Sequence, residues 1–396
     1  METIMVYIHV PFCVKKCLYC DFLSAPADEK SQSLYVDALI REMERKYNKL
    51  KDRRVKTIFI GGGTPSSLSE ENLSKLLSAV RDVLKPDCET EYTMECNPGT
   101  LSESKLKTAK KYGVNRLSIG LQSMDNDELK LLGRIHSAEE FEENYLLARE
   151  CGFDNINIDL ISSLPGQNKE AFMNSLRKAI AMSPEHISVY SLIVEEGTEF
   201  YDRYHDDVLK RDRGEKTLFL PDEDTEYETG VALREYLKSA GYNRYEISNY
   251  ALDGRECTHN KGYWQRKDYL GLGLGAASFI DKTRYKNEVN IKEYIKINGD
   301  NVIDNLPLCD EPYFEKTELS AMEEMEETMF LGLRMTEGVN LLDFKEKFGV
   351  DMKNVYHSQT EELVMNGLAE IEDGCFRLTD RGFDLGNYAF GMFLFD

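Results

Sequence analysis

Three cysteines within eight residues have the spacing of a metal-cofactor site. Cys13, Cys17 and Cys20 follow the pattern C-x3-C-x2-C. Three thiolates on one short loop can ligate three irons of a 4Fe-4S cluster, whereas electron-transfer clusters usually have a fourth cysteine ligand. The remaining iron is then free to bind another molecule, so the spacing predicts a cluster with a chemical role. A zinc site is the alternative, but zinc needs a fourth cysteine or histidine, and nearby His9 lies in an apolar, strand-like run.

Further polar residues follow strand-like runs later in the chain. The segment Gly61 to Pro65 reads Gly-Gly-Gly-Thr-Pro, and consecutive glycines allow the backbone to approach a ligand closely. It lacks the Gly-Lys-Ser/Thr of a nucleoside triphosphatase. The other candidates at or near strand ends are Thr64, Glu95, Gln122, Arg134 and Asp159. Any one could be a structural polar residue, but together they predict a single site.

The elements that would position these residues form a repeating pattern. Six strand-like runs alternate with helical periods in the first half of the chain: Val6 to Val10, Val55 to Ile60, Tyr92 to Cys96, Arg116 to Gly120, Asn155 to Leu160 and His186 to Leu192. These runs show little polar alternation, which is typical of parallel strands buried on both faces. We therefore predict an α/β fold with an open, partial (β/α)6 barrel over residues 1–220. A flavodoxin-like doubly wound sheet remains the alternative, because periodicity does not give strand order.

The second half of the chain has a different rhythm. We predict a loop or linker at 201–224, a helix from Glu223 to Ala240, and a middle segment that extends over 221–320. Residues 321–396 predict a smaller helical domain closed by a hairpin, with strands Leu368 to Glu372 and Cys375 to Leu378 around Asp373-Gly374. This order of elements resembles a winged-helix domain. The domain lacks the basic face that would recognise DNA, so we expect it to pack against the rest of the chain or to dock a partner protein.

The bulk composition narrows the class of protein. With 41% hydrophobic and 30% charged residues the chain is typical of a globular protein. Its net charge of -22 argues against binding to nucleic acid or an anionic bilayer. No apolar stretch reaches the ~20 residues of a membrane span, and the start has no secretory-signal pattern. Nine cysteines, an odd number, fit a reducing compartment, so we expect a cytoplasmic protein.

The cysteine loop, with Phe12 before its first cysteine and Tyr19 before its third, resembles the radical S-adenosylmethionine superfamily. The resemblance implies that the open iron binds the methionine part of the nucleotide. It further implies that Gly62 and Gly63 hold the methionine amino group, that Tyr19 lines the adenine side, and that Glu95 accepts hydrogen bonds from the ribose.

The whole chain is similar to one branch of that superfamily, which contains the oxygen-independent coproporphyrinogen III oxidases (HemN) and the HemW haem chaperones. By this resemblance Tyr7, Gly62 and Glu95 contact the first nucleotide. The positions that match contacts to a second S-adenosylmethionine in HemN are Thr64, Gln122, Arg134 and Asp159, and Ser191 falls at a further such contact.

Two departures favour the HemW side of the branch. HemN proteins have a fourth cysteine two residues after the third, and this chain has Phe22 at that position. HemN proteins also have a long segment before the cluster, whereas this chain has only twelve residues before Cys13. A missing lid weakens the case for radical chemistry in a closed pocket. The segment His259 to Trp264 matches the H-N-x-x-Y-W pattern, which is associated with haem in HemW proteins.

The residues of that segment have suitable chemistry for haem. An imidazole such as His259 can ligate haem iron, and Tyr263 and Trp264 offer flat faces for the macrocycle. A loop histidine beside an aromatic anchor is the structural alternative, and Cys257 is an alternative ligand.

The resemblance implies three functions to distinguish. The preferred one is a chaperone that binds haem, a 4Fe-4S cluster and S-adenosyl-L-methionine and passes haem to an acceptor protein not yet known. The second is a coproporphyrinogen III dehydrogenase that converts propionates to vinyls by radical decarboxylation. The third is a radical enzyme with another substrate, since the barrel motifs specify only the cofactor. Each needs an electron donor such as a flavodoxin or ferredoxin.

Overall fold

The computed structural model describes residues 2–299 and 307–394 of the chain. Residues 300–306, within the predicted middle segment, lie outside this description. The strands are β1 (Thr3–Val10), β2 (Arg54–Gly62), β3 (Glu91–Cys96), β4 (Arg116–Gln122), β5 (Ile156–Ser162), β6 (His186–Ser191), β7 (Asn243–Arg244), β8 (Asn249–Ala251), β9 (Tyr269–Leu272), β10 (Ala277–Ile280), β11 (Thr283–Lys286), β12 (Glu315–Glu318), β13 (Val339–Asn340), β14 (Ala369–Glu372) and β15 (Cys375–Leu378).

The helices surround and follow these strands. They are α1 (Glu29–Tyr47), α2 (Glu70–Leu84), α3 (Glu103–Lys111), α4 (Asn126–Leu131), α5 (Ala138–Glu150), α6 (Lys169–Ala181), α7 (Glu199–Asp212), α8 (Glu223–Ser239), α9 (Thr258–Trp264), α10 (Ile291–Ile297), α11 (Ala321–Gly332), α12 (Leu341–Phe348), α13 (Met352–Val355), α14 (His357–Met365), α15 (Asp380–Asp384) and α16 (Gly386–Gly391). Short 3-10 turns occupy Pro65–Ser67 and Leu308–Asp310.

The large sheet has the strand order of a partial barrel. Strands β1 to β6 lie side by side in chain order and all pair in parallel. A doubly wound sheet would instead reverse its strand order at a switch point. The sequential order therefore decides between the two predicted architectures in favour of the barrel, and all six predicted strands are confirmed.

Alternation along β1 shows how each strand serves both the core and the site. Val6, Ile8 and Val10 are at most 1% exposed and belong to the main hydrophobic core. Tyr7 and His9 alternate with them, and adjacent strand residues point to opposite faces. One face thus packs beneath the helices, while the other supplies polar groups to the barrel interior.

The edges of the barrel are extended by strands from the second half of the chain. Strand β9 pairs in parallel with β1, and β10, β11 and β12 continue that edge in antiparallel pairing. At Gly271 a Cβ would lie 1.9 Å from the carbonyl oxygen of Ala277, so the backbones approach too closely for any side chain there.

The prediction of a loop at 201–224 is wrong for its first part, where α7 forms a helix. Thr198 caps this helix by accepting a hydrogen bond from the amide of Tyr201 at 3.1 Å. Phe200, Tyr204 and Val208 pack into a small hydrophobic cluster at one end of the barrel. Their spacing of four residues is typical of one face of a helix. The many charged residues between them made this apolar face hard to recognise in the sequence.

The tail folds around a separate hydrophobic core, as predicted. Strands β14 and β15 form the expected hairpin, which β13 extends into a three-stranded sheet beside the helices. Arg334 joins this unit to the middle segment, because its guanidinium lies 5.2 Å from the ring centre of Trp264 and 4.8 Å from that of Phe390. The arrangement is that of a small winged-helix-like domain.

Within residues 2–299 and 307–394, we find no helix with both the length and the apolar character required to cross a bilayer.

Candidate functional site

The cysteine loop lies between β1 and α1, at the carboxyl end of the barrel strands. The amide of Cys13 donates to the carbonyl of Ala25 at 3.2 Å, which closes the loop at its base. The thiols of Cys13, Cys17 and Cys20 are free and half-buried. All three line one cavity of about 150 Å³, which we call the outer cavity.

The three thiols line a common space, as the ligands of an iron-sulfur cluster would. Nowhere in the described part of the chain do three cysteine, histidine or carboxylate side chains converge at the spacing of one metal ion. A cubane cluster presents its irons at separate corners, so its ligands surround a space. Burial raises the pKa of Cys20 to about 11, so we expect this thiol to remain protonated until a metal displaces the proton.

The glycine segment forms one wall of the outer cavity, and its geometry requires glycine. Gly62 has a φ of +103°, a left-handed conformation that residues with side chains rarely adopt. A Cβ on Gly63 would lie 2.7 Å from the carbonyl oxygens of Val10 and Phe12. Thr64 follows, with its hydroxyl oxygen 3.4 Å from the sulfur of Cys13.

The four polar residues predicted from strand ends meet at the same place. Glu95, Gln122, Arg134 and Asp159 all line the outer cavity. Burial raises the pKa of Glu95 to about 7, and the nearby charge of Asp159 adds to this effect. Gln122 has a φ of +72°, and strained backbone of this kind tends to persist at functional sites. The structure thus brings the predicted positions together.

Arg134 connects the cysteine loop to the strand ends. Its Nη1 donates to the sulfur of Cys17 at 3.5 Å, and its Nη2 donates to the carbonyl of Gly120 at 2.6 Å and also to the side chain of Asn97. Tyr19 lines the cavity beside it. Sequence reasoning missed Asn97, although its position two residues after Glu95 is a same-face spacing on a strand.

A second space of about 200 Å³, the inner cavity, lies deeper in the barrel. It shares Glu95, Ser118 and Asp159 with the outer cavity. Tyr7 lines the inner cavity, and its hydroxyl is 2.9 Å from Nδ1 of His9. Tyr7 therefore lines the inner cavity, whereas the three cysteines line the outer one.

Ser191 lies apart from both cavities. It is exposed at the end of β6, paired with Ser162 of β5. The same strand instead contributes Ser188 and Tyr190 to the inner cavity.

His259 lies at the opposite end of the barrel from the cysteines. It is 1% exposed and belongs to α9, which packs near the starts of β2 and β3. Its Nδ1 is 2.7 Å from the hydroxyl of Thr57, and its Nε2 is 3.0 Å from the hydroxyl of Tyr263. The ring also stacks on Phe59. Burial, with a smaller effect from Arg116, lowers the pKa of His259 to about 3, so the imidazole is neutral at physiological pH.

Trp264 points away from this histidine. His259 and Tyr263 are four residues apart on one face of α9, with ring centres 4.9 Å apart. Trp264 is the next residue, turned ~100° around the helix, and it faces Arg334 of the C-terminal domain. Cys257 is fully buried at the start of α9, where its thiol donates to Glu91 at 3.5 Å. The structure thus brings together two of the three predicted haem-contacting side chains.

Comparisons with known proteins agree with this geometry. Residues 7–179 match the model of the radical SAM superfamily, and residues 319–385 match that of the HemN C-terminal domain. A protein named "Heme chaperone HemW" from Bacillus subtilis is 40% identical over 394 residues, which cover 98% of each chain. The protein of that name from Lactococcus lactis is 35% identical over 390 residues, 98% of this chain and 97% of the relative.

A solved structure supports the fold. The E. coli coproporphyrinogen III oxidase HemN, described as a radical SAM enzyme, superimposes with a TM-score of 0.83 over 99% of this chain and 90% of that one. Its sequence identity is 21%, so this likeness concerns the fold alone. By its full-length identity to the HemW proteins, this chain belongs to the HemW family of the radical S-adenosylmethionine superfamily.

Proposed function

We propose that the protein is a haem chaperone, which binds haem, a 4Fe-4S cluster and S-adenosylmethionine and passes the haem to an acceptor protein. The observation that carries this proposal is the 40% identity over 98% of the chain to a protein named as a haem chaperone. The convergence of the three cysteines and the polar strand-end residues on one cavity supports the cofactor part.

In this proposal Cys13, Cys17 and Cys20 ligate the cluster. When bound there, such a cluster would supply an electron to S-adenosylmethionine, after its reduction by a donor such as a flavodoxin or ferredoxin. The backbone at Gly62 and Gly63 holds the methionine part, and Glu95 accepts hydrogen bonds from the ribose. The hydrogen bond from Arg134 to Cys17 stabilises that ligand as a thiolate.

Four residues match positions that contact a second nucleotide in HemN. They are Thr64, Gln122, Arg134 and Asp159, and all four line the outer cavity. This observation favours the alternative function, radical decarboxylation of coproporphyrinogen III. The two functions differ in the fate of the tetrapyrrole. Anaerobic conversion of coproporphyrinogen to protoporphyrinogen would contradict the chaperone proposal.

We propose that haem binds at α9, with His259 as the iron ligand and Tyr263 and Trp264 against the macrocycle. A neutral imidazole is the form that ligates a metal. Both ring nitrogens of His259 are hydrogen-bonded inside the barrel, so ligation requires it to release Thr57 or Tyr263. Trp264 already lies outside the barrel end, against Arg334 of the C-terminal domain. Haem binding is therefore coupled to a movement of α9 out of the barrel end.

A haem titration of the reconstituted protein tests this proposal. The Soret band of added haem is followed for wild type, for His259→Ala and for His357→Ala, a control at an exposed histidine. We expect a saturable shift for wild type and His357→Ala and its loss for His259→Ala. A normal shift in His259→Ala would refute the ligand assignment, and no binding by wild type would refute the function.

A further inference from the structure

Arg116 is a buried arginine whose guanidinium has no hydrogen-bond or ion-pair partner in the described part of the chain. It is the first residue of β4, and its side chain lies among the largest that are completely enclosed, with 2% exposure. Within residues 2–299 and 307–394, its Nε has no hydrogen-bond partner, and its guanidinium takes part in no ion pair. Buried arginines are otherwise almost always paired, because an isolated buried charge is strongly unfavourable.

The two carboxylates whose charges act on Arg116 are engaged with other donors. Glu91 accepts hydrogen bonds from the first two backbone amides of α9, at 2.7 and 2.9 Å. Asp159 accepts from the side chains of Asn157 at 2.7 Å and Ser118 at 3.2 Å. Both carboxylates act on Arg116 through their charge alone. The donors of its guanidinium are therefore left for another acceptor.

Alternate residues of β4 place Arg116 below the proposed cofactors. Gln122, Gly120 and Ser118 line the outer cavity, and Ser118 and Arg116 line the inner one. At ~3.3 Å per residue, the backbone of Arg116 is about 20 Å along the strand from that of Gln122. The unpaired guanidinium thus belongs to a different space from the three cysteines.

The walls of the inner cavity indicate what could fill it. Phe59, His259 and Tyr263 form an aromatic wall, with ring centres 4.9 and 5.2 Å apart. Arg116 and the polar side chains of β4 and β5 line the cavity with them. The volume of about 200 Å³ lies below the ~300 Å³ at which pockets for drug-sized molecules begin. The space is suited to a small molecule with one apolar part and one anionic group.

We propose that the inner cavity binds a small carboxylate with a short apolar or aromatic body, whose carboxylate pairs with Arg116. The planar fork of a guanidinium matches a carboxylate in a two-bond geometry. Glu95 faces the same cavity, and its pKa of about 7 leaves it partly protonated at neutral pH, which lessens repulsion of the ligand. Because His259 and Tyr263 form part of its wall, this site belongs to the haem-free protein.

Benzoate and benzamide are a matched pair of probes for this site, because they share a shape and differ in charge. Binding of each to the full-length protein is measured by calorimetry for wild type, Arg116→Met and Arg177→Met. Arg177 is a control on α6, where it is paired at the surface with Glu170. We expect saturable binding of benzoate, at least about tenfold tighter than benzamide. Arg116→Met should bind benzoate no better than benzamide, and Arg177→Met should behave as wild type.

Three results would overturn the proposal. Equal affinity of wild type for both probes would show that Arg116 does not select a carboxylate, and absence of binding at millimolar concentration would show that the cavity holds water only. Unchanged benzoate affinity in Arg116→Met would place the site elsewhere. If circular dichroism shows that Arg116→Met does not fold, the comparison of the two probes on wild type decides alone.

Discussion

Replacing Glu95 with glutamine should stabilise the protein above neutral pH, even though Glu95 belongs to the proposed cofactor site. Burial, with the charge of Asp159, raises the pKa of Glu95 from an ordinary 4.5 to about 7. Its ionised form is therefore unfavourable in the folded protein. Glutamine stays neutral at every pH, and its side-chain oxygen can still accept the hydrogen bond that Glu95 receives from the amide of Gly62 at 2.9 Å.

The sign of the effect follows from proton binding. Glu95 ionises near pH 4.5 in the unfolded chain and near pH 7 in the folded protein, so between these values the folded state holds more protons. The free energy of unfolding therefore falls as the pH rises from about 4.5 to about 7. The shift of about 7 minus 4.5, at ~1.4 kcal/mol per pKa unit, sets an upper bound of about 3.5 kcal/mol. Water in the cavity reduces this value.

Urea unfolding of the cofactor-free protein at pH 5 and pH 8 measures the difference. The variants are Glu95→Gln and, as a control, Glu103→Gln, an exposed carboxylate paired with Lys107. We expect the stability advantage of Glu95→Gln over wild type to grow by up to ~3 kcal/mol between the two pH values, with no such growth for the control. An advantage of the same size at both pH values would refute the reasoning.

Three further variants test other parts of the structure. Tyr263→Phe removes one hydrogen bond that holds the buried imidazole, worth ~1 kcal/mol, so haem affinity measured by Soret titration should rise about fivefold; weaker binding would contradict the proposed release. Gly62→Ala forces a Cβ to within 2.2 Å of a histidine ring, so it should lower both the melting temperature and the iron content. Gly99→Ala is the control: its φ is also positive but its Cβ would lie in open space, so it should lower the melting temperature less. Cys13→Ala should fail to retain about four irons after anaerobic reconstitution, while Cys88→Ala, at an exposed cysteine, should retain them; an intact cluster in Cys13→Ala would overturn the ligand assignment.

The strands and the cluster side of the site could be predicted because local patterns determine them. Parallel strands buried on both faces give continuous apolar runs, and the carboxyl ends of such strands meet at one edge. The positions of Glu95, Gln122 and Asp159 follow directly from where their strands end. Strand order could not be predicted, because it depends on pairing between distant segments.

The side-chain directions in the haem segment and the existence of the inner cavity could not be predicted from the sequence, for a different reason. His259 and Trp264 are close in sequence, but the turn of α9 directs one into the barrel and the other toward the C-terminal domain. Arg116 begins a strand and looks like an ordinary surface charge in the sequence. Only the tertiary structure shows that it is buried and that Glu91 and Asp159 are occupied by other donors.

The most direct test of the central proposal measures both fates of the tetrapyrrole in one preparation. Reconstituted protein is given reductant and S-adenosylmethionine under anaerobic conditions, then divided between a haem titration and an assay for conversion of coproporphyrinogen III. The account predicts saturable haem binding and no protoporphyrinogen. Formation of protoporphyrinogen, or the absence of saturable haem binding, would contradict it.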